Sequence, residues 1–145
     1  MSDRTFLDTN VLVYLFDGDA PAKRQRAREV LRHLGAEAVL STQVLQEFYV
    51  SVTRKLARPL SAAVAEGAVH DLAAFDVVVI DVPMVKQAMA LSRADSMSFW
   101  DALIVEAARA HGCHRLLTED FQDGRAFGSL RVENPFRTSA DSNES

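Results

Sequence analysis

The sequence lacks the features that mark membrane-spanning, secreted or zinc-binding proteins. No apolar run approaches the ~18 to 20 residues that a membrane-spanning helix requires, and the first residues do not have the basic-then-apolar layout of a secretory signal. Cys113 is the only cysteine, so an internal disulfide is excluded and we expect a reducing, cytoplasmic environment with no membrane partner. The four histidines show no zinc-like arrangement with Cys113, which argues against a zinc site.

An excess of positive charge is also missing. The chain has 16 Lys and Arg against 20 Asp and Glu, a net charge of -4. This balance argues against a surface coated with positive charge for nucleic acid, although a local basic patch can still bind it. An acidic total is also expected where several carboxylates are gathered to hold a divalent cation.

Motifs of several enzyme classes are absent. The sequence has no Gly-rich phosphate loop and no Ser-His-Asp order of residues. A phosphatase with an aspartyl nucleophile would need a second acid two residues after Asp8, where this chain has Asn10. The remaining candidates for chemistry are acidic residues without a cysteine or histidine cluster.

The hydrophobic pattern predicts one α/β domain. With 145 residues, 48% of them hydrophobic, the chain can form one core, which we place at residues 1–136. Predicted strands alternate with helices, so the sheet should be mostly parallel. The β-branched run at 77–80 predicts a strand buried on both faces, and 130–132 predicts a short edge strand. Residues 137–145 are small and polar, and we predict that they are disordered.

Four acidic residues lie at the ends of predicted elements or beside apolar stripes. Asp8 follows the first strand, Asp101 opens a helix, Asp120 follows a later strand, and Glu47 lies one or two turns into its helix. Strand carboxyl ends and the helices that follow them begin at one edge of a parallel sheet. Asp8, Asp101 and Asp120 are therefore candidates for one pocket, which Glu47 can enter from the side.

Each acid alone has an ordinary explanation. Asp8 and Asp101 fit helix capping, and Asp120 fits a turn, where Glu119 or Asp123 could take its place in a pocket. The joint pattern is what indicates a site.

Several carboxylates in one cleft require compensation. Two like charges ~4 Å apart repel by ~1 kcal/mol in water and by ~4 kcal/mol at an effective dielectric near 20. A divalent cation removes this repulsion, and hard oxygen ligands favour Mg²⁺ or Mn²⁺ over Zn²⁺. Such an ion lowers the pKa of bound water and stabilises the charge that builds on a phosphodiester during in-line attack.

Four segments resemble the PIN-domain nuclease family. They are residues 7–10 (LDTN), 46–48 (QEF), 100–104 (WDALI) and 117–121 (LTEDF). Together with the ending at 132–136, they are similar in particular to the VapC-type ribonuclease toxins of bacterial toxin–antitoxin pairs. The resemblance covers residues 5–136. It implies a three-layer α/β/α sandwich around a short, mostly parallel sheet.

The resemblance also implies an activity and a set of site residues. The activity would be endonucleolytic cleavage of RNA by a metal-activated water, with Mg²⁺ as the cofactor and Mn²⁺ as an alternative. The family's acidic quartet would match Asp8, Glu47, Asp101 and Asp120. Asp8, Asp101 and Asp120 would hold the metal, and Glu47 would complete its coordination or orient the attacking water. Thr118 would orient a carboxylate or water by its hydroxyl, and Asn10 would assist near Asp8.

Partners follow from the same resemblance. A cognate VapB-like antitoxin would block the site, and a homodimer would be expected. The basic residues at 23–32 and at 54–58 form either solvated faces or contacts to the RNA backbone. The residues that we predict as RNA contacts are Arg24, Arg28, Arg54 and Lys55. Two alternatives stay open, namely a housekeeping RNA-processing nuclease and a non-catalytic module that binds metal or protein. The neighbouring open reading frame would separate toxin from housekeeping enzyme.

Overall fold

The computed structural model describes residues 3–137. Apart from Arg137, the predicted disorder at 137–145 lies outside these described residues. Six strands form one sheet in the order β3-β2-β1-β4-β6-β5. The strands are β1 (Thr5–Leu7), β2 (Ala38–Ser41), β3 (Asp76–Val78), β4 (Arg115–Leu117), β5 (Ala126–Phe127) and β6 (Leu130–Glu133).

Six α-helices alternate with most of these strands. They are α1 (Thr9–Tyr14), α2 (Pro21–Leu34), α3 (Thr42–Arg54), α4 (Ala62–Leu72), α5 (Val82–Asp95) and α6 (Phe99–Ala110). A 3₁₀ turn at Gly35–Glu37 joins α2 to β2. Within residues 3–137, no helix is long and apolar enough to cross a bilayer.

The neighbouring inner strands β1 and β2 are covered on both faces. Consecutive residues of a strand point to opposite faces, and every residue of β1 and of β2 is buried. Helices must therefore pack on both sides of the sheet, which makes three layers. The β1–β2, β2–β3, β1–β4 and β4–β6 pairs are all parallel, and only the β5–β6 pair is antiparallel. The predicted α/β fold with a mostly parallel sheet is confirmed.

The register of β1 and β4 positions the candidate site. Leu7 pairs with Leu117 at the carboxyl ends of these neighbouring strands. The next residue of each strand, Asp8 and Thr118, is therefore placed side by side at one edge of the sheet. The main-chain N–H of Asp8 donates to the carbonyl of Leu117 over 3.0 Å and continues the ladder by one step.

Short polar side chains begin four of the helices. Ser41, Ser61 and Asp81 accept hydrogen bonds from main-chain N–H groups at the starts of α3, α4 and α5. Ser98 does the same for α6 by accepting from the N–H of Asp101. These caps satisfy N–H groups that have no partner inside the helix.

The prediction for residues 77–80 is wrong in both length and burial. The strand is β3, which ends at Val78, and Val79 beyond it is 69% exposed. β3 is the edge strand of the sheet and pairs only with β2. A β-branched run reports a preference for extended backbone, but burial on both faces requires neighbours that an edge strand does not have.

The predicted edge strand at 130–132 is present as β6, but it is not the edge. The short strand β5, which the sequence pattern did not reveal, pairs antiparallel with β6 and takes that position. β5 has two residues, too few for an alternation of polar and apolar side chains to be recognised.

Two valines test this assignment of the sheet's centre and edge. Val39→Ala should lower the free energy of unfolding by about 2 kcal/mol, because the lost methyl groups leave a cavity in a strand that is fully buried. Val79→Ala should change it by less than about 0.5 kcal/mol. Urea denaturation of the two variants measures the difference, and equal losses would contradict the placement of β3 at the edge.

Candidate active site

A cleft of about 750 Å³ opens beside the carboxyl ends of β1 and β4. Its lining includes Asn10, Glu47, Asp120, Lys55 and Trp100. These residues come from distant parts of the chain, because the parallel strands bring their following segments to one edge. The cleft is large enough for part of a substrate, and carboxylates stand along it.

Asp8 is a buried carboxylate next to this cleft. It is 6% exposed, and it caps α1 by accepting a hydrogen bond from the N–H of Thr9 at 2.7 Å. Burial raises the pKa of Asp8 to about 7, with smaller increases from the charges of Asp120 and Glu47, while the hydrogen bonds from Thr118 and Thr9 lower it. Helix capping and membership of an acidic site therefore coexist in one side chain.

Thr118 and Asn10 connect Asp8 to Asp120. The Thr118 hydroxyl donates to Asp8 Oδ2 at 2.8 Å, and it accepts from the N–H of Asp120 at 3.1 Å. Asn10 Nδ2 lies 3.0 Å from the Thr118 hydroxyl, 3.1 Å from Asp120 Oδ2 and 3.4 Å from Asp8 Oδ2. Four of the residues predicted from the sequence thus form one hydrogen-bonded group.

Glu47 joins this group from α3 through Thr9. The Thr9 hydroxyl donates to Glu47 Oε2 at 2.9 Å, and Gln43 Nε2 donates to Glu47 Oε1 at 3.0 Å. The same Gln43 nitrogen lies 3.1 Å from the carbonyl of Trp100 at the start of α6. Gln43 was not among the site residues predicted from the sequence, although its spacing of four residues from Glu47 on a helix predicts contact between the two side chains.

Asp101 stands half-buried in the first turn of α6. Its pKa is raised by burial and by the charges of Asp120 and Glu47, with an opposing hydrogen bond to Ser98. Asp101 therefore shares the electrostatic environment of the other acids. The hydrogen bonds that join Asp8, Asn10, Thr118 and Asp120 do not include it.

The donor chemistry of the acids fits a hard divalent cation, since all donors are oxygens. As the side chains stand, no three acidic, histidine or cysteine residues between positions 3 and 137 come together closely enough to hold one ion. A cation shared by Asp8, Asp101 and Asp120 would therefore require rotation of the more exposed carboxylates.

Two other acids near Asp120 have partners elsewhere. Glu119 accepts a hydrogen bond from the Tyr14 hydroxyl and forms an ion pair with Lys23 at 2.8 Å. Asp123 accepts from the N–H of Asn134 at 2.7 Å and pairs with Arg137 at 2.8 Å. Of the three sequence candidates for the last acid, Asp120 is the one whose carboxylate accepts a hydrogen bond from Asn10, whereas Glu119 bonds to Asn10 Oδ1 only through its main-chain N–H, at 3.3 Å.

The predicted RNA contacts divide into two groups. Lys55 lines the cleft, whereas Arg24, Arg28 and Arg54 are not among its lining residues. Arg28 and Arg54 are exposed, and the Nε atom of Arg24 is buried with no hydrogen-bond partner among the described residues.

Comparison with known families and structures identifies the fold. The sequence model of the PIN domain matches residues 5–123. The chain belongs to the PIN-domain family. The resemblance found in residues 7–10, 46–48, 100–104 and 117–121 is confirmed. Comparison with curated protein sequences gave no match.

Solved structures share this PIN fold over most of the chain. A toxin–antitoxin complex from Klebsiella pneumoniae is 21% identical, covers 92% of this chain and 99% of that chain, and gives a TM-score of 0.71. VapBC from Salmonella typhimurium bound to DNA is 20% identical, covers 91% of this chain and 98% of that chain, and gives a TM-score of 0.66. VapC20 of Mycobacterium tuberculosis, a toxin that cleaves the sarcin–ricin loop, is 25% identical, covers 77% of this chain and 86% of that chain, and gives a TM-score of 0.63.

The raised pKa of Asp8 predicts how the stability of the metal-free protein depends on pH. The folded-state pKa of Asp8 is about 7, and its unfolded value is ~4. The contribution of the neutral Asp8 carboxyl to the free energy of unfolding is therefore complete below about pH 4 and is lost as pH rises through 7. The loss from this group should be on the order of 4 kcal/mol. Asp8→Asn should flatten the curve, whereas the exposed Asp71→Asn should retain the wild-type slope. Urea denaturation in EDTA measures both, and parallel curves for wild type and Asp8→Asn would contradict the burial of a carboxyl.

Proposed function

We propose that this PIN-domain protein is a divalent-cation-dependent endoribonuclease and the toxin of a toxin–antitoxin pair. The observation that carries the proposal is the buried Asp8 carboxylate at the end of the central strand, with Asp120, Glu47 and Asp101 acting on the same electrostatic environment. Such a concentration of acids destabilises a fold unless a cation offsets it. The likeness to toxin–antitoxin structures, and to a toxin that cleaves the sarcin–ricin loop, supports RNA as the substrate.

Asp8, Asp101 and Asp120 would hold Mg²⁺ or Mn²⁺, and Glu47 would complete its coordination or orient water. When bound, the cation supplies charge neutralisation at the phosphodiester and a lowered pKa for water. The chain's own residues orient the carboxylates. Thr118 fixes one oxygen of Asp8, and Asn10 holds Asp120 near it. This support keeps Asp8 and Asp120 together, and a phosphate would have to lie beside them for hydrolysis.

Removal of one acid tests the nuclease proposal. Asp101→Asn keeps the size of the side chain and the main-chain N–H that Ser98 caps, so the fold should persist. We expect Mg²⁺-dependent cleavage of RNA to fall by about 100-fold or more, since even indirect partners of a metal are worth about 10- to 100-fold. Asp71→Asn, an exposed acid on α4, serves as the matched control.

Gel assays of RNA cleavage with Mg²⁺, with Mn²⁺ and with EDTA measure this effect. Full activity of Asp101→Asn would contradict the role of Asp101. Binding of Mg²⁺ without cleavage of any RNA would favour a non-catalytic module.

The toxin role has a separate readout in cells. Expression of the wild-type chain should arrest growth, and co-expression of a small DNA-binding protein encoded beside it should relieve the arrest. We propose such a VapB-like antitoxin as the partner and a homodimer as the toxin's assembly. RNA cleavage without growth arrest would favour a housekeeping RNA-processing enzyme instead.

Lys55 is the predicted RNA contact that the cleft supports best, because it lines the same cleft as Glu47. Arg24, Arg28 and Arg54 stay predictions as backbone contacts outside the cleft. If Lys55 contacts one phosphate, Lys55→Ala should weaken RNA binding and reduce the slope of log Kd against log salt by roughly 0.7. Lys86→Ala, on the exposed side of α5, is the control. Identical slopes for both variants and wild type, measured in EDTA, would leave Lys55 as a solvated side chain.

A further inference from the structure

Trp100 is an exposed aromatic residue beside the candidate acids. Its exposed fraction is 62%, although a large apolar ring gains free energy from burial. It lines the same cleft as Asn10, Glu47 and Asp120. It precedes Asp101 directly in the sequence, and it is the only tryptophan of the chain. Its ring is therefore available to a molecule that occupies the cleft.

The surroundings of Trp100 fix its position without covering it. Gln43 Nε2 lies 3.1 Å from its carbonyl oxygen, and the ring of Phe99 packs against it edge-to-face at a centroid distance of 5.1 Å. Gln43 is 4% exposed and also holds Glu47 at 3.0 Å. One buried amide thus ties the main chain at Trp100 to an acid of the site. Such a tie limits the entropy that a contact with the ring would cost.

We propose that Trp100 is the surface on which one unpaired base of the RNA stacks, and that this contact determines which nucleotide lies at the acids. The inference rests on the proposed nuclease function, since an RNA phosphate must enter this cleft to reach Asp120, which lines it. Proteins that read single-stranded RNA stack its bases on aromatic side chains. Lys55, on the same cleft, supplies a positive charge for the backbone of the same strand.

A base is a better match to this site than an apolar peptide side chain. The cleft that Trp100 lines combines the apolar side chains of Val13, Val50 and Leu56 with the polar or charged side chains of Asn10, Gln43, Glu47 and Lys55. A stacked base needs one planar apolar surface and polar groups at its edge, which this arrangement provides. An inhibitory peptide that covers Trp100 is the competing occupant, and RNA-binding and antitoxin-binding measurements on Trp100 variants distinguish a base from such a peptide.

The first measurement uses the intrinsic fluorescence of the protein. Because Trp100 is the only tryptophan, a change in tryptophan emission reports on this ring alone. A short single-stranded RNA of mixed sequence, titrated in EDTA, should quench the emission. An abasic ribose-phosphate chain of the same length should quench it far less, because it offers phosphates without bases.

The second measurement uses variants that need no fluorescence. Trp100→Ala should raise the Kd for the mixed-sequence RNA by about 5- to 150-fold, which corresponds to ~1–3 kcal/mol for one stacked base. Trp100→Phe should recover part of this loss. In Mg²⁺, Trp100→Ala should cut the same RNA at different positions. Tyr49→Ala is the matched control, since Tyr49 is an exposed aromatic on α3 that is not among the cleft's lining residues.

The outcomes separate this inference from the nuclease proposal. Divalent-dependent cleavage by the wild type, with no quenching by RNA and an unchanged Kd and cutting pattern in Trp100→Ala, would overturn the stacking role alone. Quenching and a raised Kd, with no cleavage under any divalent cation, would support stacking and overturn the nuclease proposal. An unchanged Kd and cutting pattern with loss of antitoxin binding in Trp100→Ala would overturn base stacking in favour of a peptide occupant.

Discussion

The arrangement of the site depends on the burial of one carboxylate. Asp8 is 6% exposed at the end of the central strand, and its pKa is raised to about 7 mainly because water is excluded from it. The charges of Asp120 and Glu47 oppose its ionisation further. Folding alone does not require this arrangement, since an asparagine or serine can also cap a helix. The buried carboxyl with its raised pKa is therefore the feature on which the proposed metal-dependent chemistry depends.

Parallel strand pairing explains why the predicted residues of two distant segments meet. Once β1 and β4 are neighbours in register, Asp8 and Thr118 must follow side by side, and Asn10 and Asp120 lie two residues beyond them. Strand-end logic therefore predicted this part of the site from the sequence. From the sequence, helix capping and membership of an acidic group were alternatives for Asp8, whereas the side chain takes part in both: one oxygen accepts from the Thr9 N–H, and the other accepts from the Thr118 hydroxyl that also bonds Asp120.

Features set by long-range partners were not accessible from the sequence. Among the acids after β4, Glu119 is paired with Lys23 and Asp123 with Arg137. These pairs join residues whose approach depends on the finished fold. The prediction that residues 77–80 are buried on both faces was wrong for a related reason. A local preference for extended backbone carries no information about how many strands pair with the segment. Local rules thus placed the elements and most of the predicted acids, and tertiary contacts decided edges and partners.

One helix start connects the acids to the exposed ring. Ser98 caps α6 by accepting from the N–H of Asp101, and this bond fixes the first turn that carries both Asp101 and Trp100. Consecutive residues of an α-helix point about 100° apart, so the same turn holds a half-buried acid and an exposed aromatic side chain. Gln43 links this turn to Glu47 on α3. A displacement of α6 as a whole therefore moves the main chain of Asp101 and of Trp100 together, whereas rotation of the Asp101 side chain changes the position of the charge alone.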